Sequence, residues 1–494
     1  MDNTPICTRF APSPTGYMHI GNLRTALYAY LLARSTGGRF IVRIEDTDRE
    51  RLVEGAVDVI LDTLKVTGID YDEGPVIGGP NGPYVQSERK EIYRKYAEEL
   101  VARGYAYYCF CSEERLAALH EENGPGGGYD RHCRSLSPEE VKANLDAGLP
   151  YVIRQKIPLA GTTTYFDEVF GEISMENADM QDQILLKADG YPTYNFAHVV
   201  DDYLMGVTHV VRGSEYLTST PKYVLLYDAF GWERPHYCHL PLLMGKDADG
   251  KISKLSKRHG AVSFQDLVRA GYLPAAIVNY IALLGWCPRN TNQEIFSLDE
   301  LKKLFSVEGI NKSPAVFDYE KLRWFNSEYI KAMPDDEYAK LAVPAVKAAV
   351  GENADCEKLA SLLHSRLSSF GDIPEAVAFI KDRLPMEDPA ALYTNKKNKT
   401  TPEVCLGILR EVLPLLEEKT DSAGWDNDSL FELLKTYADG KGLKAGAVMW
   451  AVRIAVARQA VTPGGATEIM TVLGREESLS RIALAIEELE RTGE

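Results

Sequence analysis

The chain has no apolar run of membrane-spanning length, so a bilayer-spanning role is not expected. It has no basic-then-apolar leader either: Met1-Asp-Asn-Thr-Pro5 goes almost directly into a strand-like stretch, which speaks against secretion. Cysteine is sparse, with eight scattered along 494 residues, and this is no disulfide framework for a protein of such size. A reducing, cytoplasmic setting is therefore expected. Positive charge is the minority sign, with 55 Lys and Arg against 72 Asp and Glu, and the formal net charge of −17 excludes indiscriminate polyanion binding. It does not exclude a nucleic-acid partner, because such binding depends on local patches. Two patches stand out, Lys246 to Arg258 and Lys396-Lys-Asn-Lys399. No sustained short-period repeat is found.

What is present is enough chain for several cores. Residues 6–10 read as a short strand. Leu23, Ala26, Leu27, Tyr30 and Leu31 then recur at helical spacing, Gly37-Gly38 ends that helix, and Arg39 to Ile44 reads as a buried strand. Strand–helix–strand implies a parallel pair with a right-handed crossover. A second such unit lies downstream, with a strand over Val207–Arg212, a helix over Thr220–Phe230 and a strand over His236–Met244. A nucleotide-binding sheet interrupted by an insertion at about 85–195 accounts for both. From about residue 325 strand signals nearly vanish. Helices are expected over Pro402–Lys419 (with Val404, Ile408, Val412 and Leu415 on one face), Leu443–Ala460 and Glu476–Arg491. Gly124-Pro-Gly-Gly-Gly128 reads as an exposed loop.

Two short segments carry the chemistry. Arg9-Phe-Ala-Pro-Ser-Pro-Thr-Gly-Tyr-Met-His-Ile-Gly-Asn22 places Gly16, His19 and Gly21 in a turn between a strand and a helix, where backbone amides and the positive helix end can meet a phosphate. Taken alone, a glycine turn is a weak signal. The second segment, Lys254-Leu-Ser-Lys-Arg-His-Gly260, sits in a Gly/Asp/Lys-rich loop that can close over a triphosphate. Attack of a carboxylate on an α-phosphate needs no protein nucleophile, so positioning and neutralisation of developing charge do most of the catalysis. Lys257 is the first candidate for the cation that engages in the transition state, with Lys254 and His19 in support. Lys251-Ile-Ser-Lys254 offers an overlapping register, and the following Arg-His-Gly favours the later one.

These segments resemble the "HIGH" and "KMSKS" signatures of class I aminoacyl-tRNA synthetases. With Arg43-Ile-Glu-Asp-Thr-Asp48, Pro192-Thr-Tyr-Asn-Phe-Ala197, Val200-Asp-Asp202 and the stretches around Val452–Ala457 and Leu473–Arg475, the chain resembles the bacterial-type glutamyl-tRNA synthetases over nearly its whole length. The resemblance implies ATP contacts from Gly16, His19, Gly21, Asn22, Ser256, Lys257 and Arg258, with Mg2+ on the phosphates. It implies a glutamate pocket of Arg9, Ala11, Ser13, Glu45, Tyr194 and Arg212. Two carboxylates call for guanidinium groups and an ammonium for a carboxylate. Arg9 is the first candidate for the side-chain acid and Arg212 the second; the competing reading of both is a structural ion pair. His198 stands where relatives often carry Asn, and is read either as a substitute donor or as a neutral packing residue. Glutamine would leave a buried guanidinium unpaired, and aspartate would lose roughly 1–3 kcal/mol of contact.

The resemblance also bears on metal. Cys109-Phe-Cys111, Tyr129 and Cys133 lie where some relatives hold structural zinc, but Ser135 stands at the usual histidine position. Tyr129 or His132 is then the fourth ligand, against a metal-free loop of buried thiols. His236-Tyr-Cys-His239 has ligand-like spacing, but a strand would point its histidines to opposite faces.

The fold expected is α/β. A split Rossmann-like catalytic domain (1–84 and 196–245) carries an inserted acceptor-stem domain (85–195), a loop and junction domain (246–325) and an all-helical anticodon-binding region (326–494, with a break near 390). The resemblance implies a monomeric ATP-dependent ligase that forms glutamyl-adenylate and charges tRNA(Glu), with tRNA(Gln) left open. In this family, glutamate activation typically waits for tRNA. The rivals are a glutaminyl enzyme, against which the all-helical C-terminus speaks, and a tRNA-binding protein that has lost catalysis, against which His19, Lys254 and Lys257 speak.

Overall fold

The computed structural model describes every residue except 1–4, 125–127, 248, 261, 290, 353, 387, 421–423 and 493–494, together with the side chains of 49, 123, 257 and 492. The core of the expected Gly124–Gly128 loop thus lies outside the described residues. The chain forms two compact units, one of residues 1–268 and 274–319, the other of 269–273 and 320–494. No helix among the described residues is long and apolar enough to cross a membrane.

The first unit begins with β1 (Cys7–Phe10) and β2 (Arg39–Val42), a parallel pair joined by helix α1 (Ile20–Ser35). All five of the apolar residues at helical spacing in α1 are buried, and so are Tyr28, Ala29, Leu32 and Ala33, because the helix is covered on most sides. Gly38 lets β2 start beside β1. A Cβ there would meet the Ile6 carbonyl oxygen at 1.9 Å, where Arg39 instead donates its amide at 3.0 Å.

Further along lie β3 (Ala106–Cys109), β4 (Val152–Gln155), the hairpin β5 (Thr162–Asp167) and β6 (Gly171–Glu176), and β7 (Ile184–Leu186). Strands β3, β4 and β7 form one antiparallel sheet. Then come β8 (His209–Gly213) and β9 (His236–Leu240), parallel and in register, with Arg212 directly opposite His239. The hairpin leaves the neighbouring strands of the expected insertion and adds to this pair, giving the order β6-β5-β9-β8. Thr208 joins this sheet to β1, accepting the Cys7 amide through Oγ1 and donating its own amide to the Cys7 carbonyl, both at 2.9 Å. Two halves of one nucleotide-type sheet are thus side by side. The segment between them is packed in with them, since Tyr93, Leu100 and Ile153 share a core with Phe196, Tyr223 and Phe230.

The strand expected over His236–Met244 divides at Pro241-Leu242. Its second part, β10 (Leu243–Lys246), pairs with β11 (Ile252–Lys254) and β12 (Ala315–Phe317) in a separate sheet. The second unit is built of helices. Those at Pro402–Glu417, Ala445–Ala457 and Arg475–Thr492 fall close to their expected bounds. The buried face of the first is Cys405, Ile408, Leu409, Val412 and Leu416, whereas Val404 is exposed and Leu415 half-buried, so the expected stripe is rotated by about one position.

Candidate active site

At the carboxyl ends of β1 and β8 opens a cavity of about 460 Å³, where ligands of open parallel sheets commonly bind. Arg9, Ala11, Ser13, Glu45, Tyr194 and Arg212, drawn together from four separate stretches of the chain, all contribute to its wall. So do His19, Gly21, Asn22 and Lys254. Gly16, Ser256, Arg258 and His198 are not part of that wall, and the Lys257 side chain lies outside the described residues. Glu215 and Tyr216, on the short turn after β8, line the cavity too. Sequence reasoning missed them, although their place just beyond a strand end was the available signal.

Beneath the cavity is a buried lattice of charge. Asp202 accepts from Arg9 Nε at 3.0 Å and from Arg43 Nη1 at 2.9 Å. Arg43 Nη2 donates to Glu45 at 2.9 Å, and Asp201 accepts from Arg89 Nε at 2.7 Å, Tyr93 Oη at 2.8 Å and Gln86 Nε2 at 2.9 Å. Burial disfavours the charge on Asp202, but Arg9 and Arg43 outweigh it and hold the carboxyl well below its usual range. For Glu45 burial wins over Arg43, and its carboxyl is pushed up to about 7. A substrate ammonium would restore its charge.

The two candidate guanidinium groups differ in what they have left to give. Arg9 is already committed to Asp202, and its Nη1 donates to the Val211 carbonyl at 3.2 Å. Arg212 donates through Nε to His239 at 3.1 Å and through Nη2 to Thr220 at 2.7 Å, while its buried Nη1 has no partner. An unmade bond on a buried cation is costly, and a ligand carboxylate would satisfy it.

His198 lies behind Tyr194. Its ring is 5.0 Å from that of Tyr194 and edge-on to Tyr223 at 4.4 Å. Neither ring nitrogen has a hydrogen-bond partner, and the nearest carboxylate oxygen, on Asp202, is 3.7 Å from Nδ1, too far for one. Burial lowers its pKa to about 3, so the ring is neutral.

At the other end of the cavity His19 caps α1, its Nδ1 accepting the Gly21 amide at 3.0 Å. A Cβ on Gly21 would come within 3.3 Å of that nitrogen. Burial, and then Lys254, lowers the His19 pKa, so the ring is neutral with its hydrogen on Nε2, a donor for an anionic oxygen. The helix end is less open than the motif suggests. The Gly21 amide is used by His19, and that of Ile20 donates to the Val262 carbonyl at 3.0 Å. Phe264 donates to the Met18 carbonyl at 2.9 Å, so the two signature segments meet through backbone bonds. The lysine loop is folded around His259, whose Nδ1 takes the Ser256 amide at 3.1 Å and whose ring packs where a Gly245 Cβ would be. Arg258 is spent on Ser253. No ion pair engages Lys254 among the described residues.

Away from this cavity, Cys109, Cys111 and Cys133 gather with their sulfurs within 4.8 Å of one another, the only such metal-ligand group found among the described residues. Cys111 and Cys133 are 3.6 Å apart, and the Tyr129 hydroxyl is 3.2 Å from Cys109 and 3.7 Å from Cys111. Tetrahedral zinc with bonds near 2.3 Å sets its sulfurs about 3.8 Å apart, so three thiolates and a phenolate at these spacings fit one ion. His236 and His239 are separated as the strand dictates, one exposed beside Glu168 and the other buried beside Asp167.

Two halves of a parallel sheet thus carry a capped glycine turn and a lysine loop bonded to it, and the chain has a separate helical unit. Residues 5–324 match the family of class I tRNA synthetases (E and Q), catalytic domain, and residues 321–486 match an anticodon binding domain. The chain belongs to this family. It is 54% identical to a glutamate–tRNA ligase of Clostridium tetani over 496 residues, covering 99% of each chain, and 54% identical to one of Clostridium novyi over 493 residues, again 99% of each. Among solved structures, a glutamate tRNA ligase from Elizabethkingia meningosepticum in complex with its amino acid superposes with a TM-score of 0.84 at 34% identity, over 98% of this chain and 100% of that one.

Proposed function

We propose that the chain is a glutamate–tRNA ligase. An α-carboxylate oxygen of L-glutamate attacks the α-phosphorus of ATP. The new P–O bond forms as the bond to the β-phosphate oxygen breaks, and pyrophosphate leaves. The 2′-hydroxyl of the terminal adenosine of tRNA(Glu) then attacks the activated carbonyl, loses its proton, and AMP leaves. The observation that carries this reading is the cavity itself. Glu45 and the unsatisfied Nη1 of Arg212 suit the ammonium and side-chain carboxylate of glutamate, and His19 and Lys254 suit a phosphate at the other end.

Arg212 is the main partner of the side-chain carboxylate in this reading, with Arg9 beside it. Ala11 and Ser13 hold the substrate from the turn after β1, and Tyr194 closes the pocket. Lys254 and Lys257 neutralise charge on the phosphates, with Gly16, Asn22, Ser256 and Arg258 shaping the nucleotide site. Mg2+ on ATP supplies further neutralisation. One structural Zn2+ is held by Cys109, Cys111, Tyr129 and Cys133. Residues 85–195 receive the acceptor stem, 246–325 join loop and stem contacts, and 326–494 read the anticodon. The enzyme works as a cytoplasmic monomer.

The test is charging of tRNA(Glu) with glutamate, glutamine and aspartate in parallel. Glutamate alone should be transferred. Glutamine transfer at a comparable rate would overturn the assignment in favour of the glutaminyl branch.

A further inference from the structure

Arg212 does not reach the cavity unsupported. Its cross-strand partner is His239, and behind His239, on the hairpin that joined this sheet from the expected insertion, stands Asp167. The three are buried, Asp167 and His239 wholly so. Asp167 Oδ2 accepts the His239 amide at 3.1 Å and the Nδ1 hydrogen at 2.6 Å; Oδ1 accepts the amides of Val169 at 3.0 Å and Phe170 at 2.8 Å. All four bonds are donated to the carboxylate, which leaves no oxygen free to carry a proton.

This fixes the imidazole. With its hydrogen committed to Asp167, Nε2 presents a lone pair, and the Arg212 Nε hydrogen points at it over 3.1 Å. Burial lowers the His239 pKa and keeps the ring neutral, as the geometry requires. Thr220 secures a second corner of the fork. Its hydroxyl oxygen lies 2.7 Å from the Tyr216 carbonyl and 3.2 Å from His239 Nε2, and accepts Arg212 Nη2 at 2.7 Å. The guanidinium is pinned at Nε and Nη2, and only Nη1 is left without a partner.

We propose that Asp167 and His239 are positioning residues for the amino-acid site, a relay that aims Arg212 at the substrate side chain. This rests on the reading of Arg212 given above. The β5–β6 hairpin is then part of the glutamate pocket, although none of its residues lines the cavity. The alternative is that the pair merely fastens β5 to β9, a strand pair whose register is a single residue pair, Asp167 with Tyr237.

The discriminating experiment is steady-state charging of tRNA(Glu) by the full chain and four variants, Asp167→Asn, His239→Gln, His239→Leu and Arg212→Gln, with thermal melts alongside. In Asp167→Asn an amide hydrogen facing His239 moves the ring hydrogen to Nε2, where it opposes the Arg212 Nε hydrogen. The KM for glutamate is expected to rise by roughly 10–100-fold, the usual range for lost supporting partners, with the KM for ATP within about threefold. His239→Leu should match it. His239→Gln keeps an acceptor opposite Arg212 and should restore the glutamate KM to within about fivefold of the parent.

If Arg212→Gln raises the glutamate KM but Asp167→Asn and His239→Leu do not, the relay is refuted and the pocket stands. If Arg212→Gln also leaves it unchanged, the reading of Arg212 fails and takes the relay with it. A uniform loss of kcat and of both KM values with a lowered melting temperature would assign the pair to strand fastening alone. Should Asp167→Asn not fold, the contrast between His239→Leu and His239→Gln decides the same question.

Discussion

The amide of Ile20 donates to the carbonyl of Val262 over 3.0 Å, and this bond links the start of the first signature segment's helix to the end of the lysine loop. Phe264 and Met18 add a second link at 2.9 Å. One end of the loop is thereby fastened beside His19, while Lys254 reaches the cavity from its other end.

A cation that engages developing phosphate charge contributes to the transition state more than to binding. Lys254→Ala and Lys257→Ala are each expected to reduce adenylate formation by roughly 10²–10³-fold, the scale seen for single stabilising donors. Binding of tRNA in filter assays should stay within about threefold, since at most one of many phosphate contacts is lost. Full adenylate formation by Lys257→Ala would show that the loop is misassigned.

Glu45 sets a pH dependence. Its carboxyl, raised by burial to about 7, must be ionised to pair with the substrate ammonium. Glutamate therefore binds the deprotonated form, and its KM should rise as pH falls from about 8 to about 6, approaching tenfold per unit below the pKa. The substrate's own groups do not titrate in that window. Glu45→Gln should flatten the profile and leave KM high throughout. A glutamate KM constant across the window in the parent protein would contradict the role.

The thiol cluster predicts about one zinc per chain by metal analysis after purification without chelator, and its loss in Cys133→Ser with a lowered melting temperature. Tyr129→Phe should weaken retention by about tenfold if the phenolate is the fourth ligand. His132→Ala should then have no effect. Zinc-free protein from zinc-replete cells would leave the cluster as three free thiols.

The local parts of this fold were legible because they depend on local physics. Helical spacing marked α1, and the helix expected over Thr220–Phe230 is reproduced residue for residue. What escaped depended on distant partners. β5 alternates exposed and buried residues, with Thr163, Tyr165 and Asp167 facing inward, and an acid at an inward position was the available hint of a polar partner. That the partner is His239 follows only from the hairpin joining β9. Likewise Arg9 and Arg212 look alike in sequence, and only the structure shows that Asp202 pairs with Arg9 while His239 and Thr220 hold Arg212. The helix at Pro402–Glu417 was placed well but turned by about one position, because several apolar residues compete for one face and neighbouring helices choose among them.

The most direct measurement is glutamate-dependent exchange of pyrophosphate into ATP, run without tRNA, with tRNA(Glu) and with tRNA(Gln). The account predicts exchange that requires glutamate and appears with tRNA(Glu); exchange with tRNA(Gln) as well would mark an enzyme that charges both. No exchange under any of the three conditions would contradict catalysis and leave a protein that only binds tRNA.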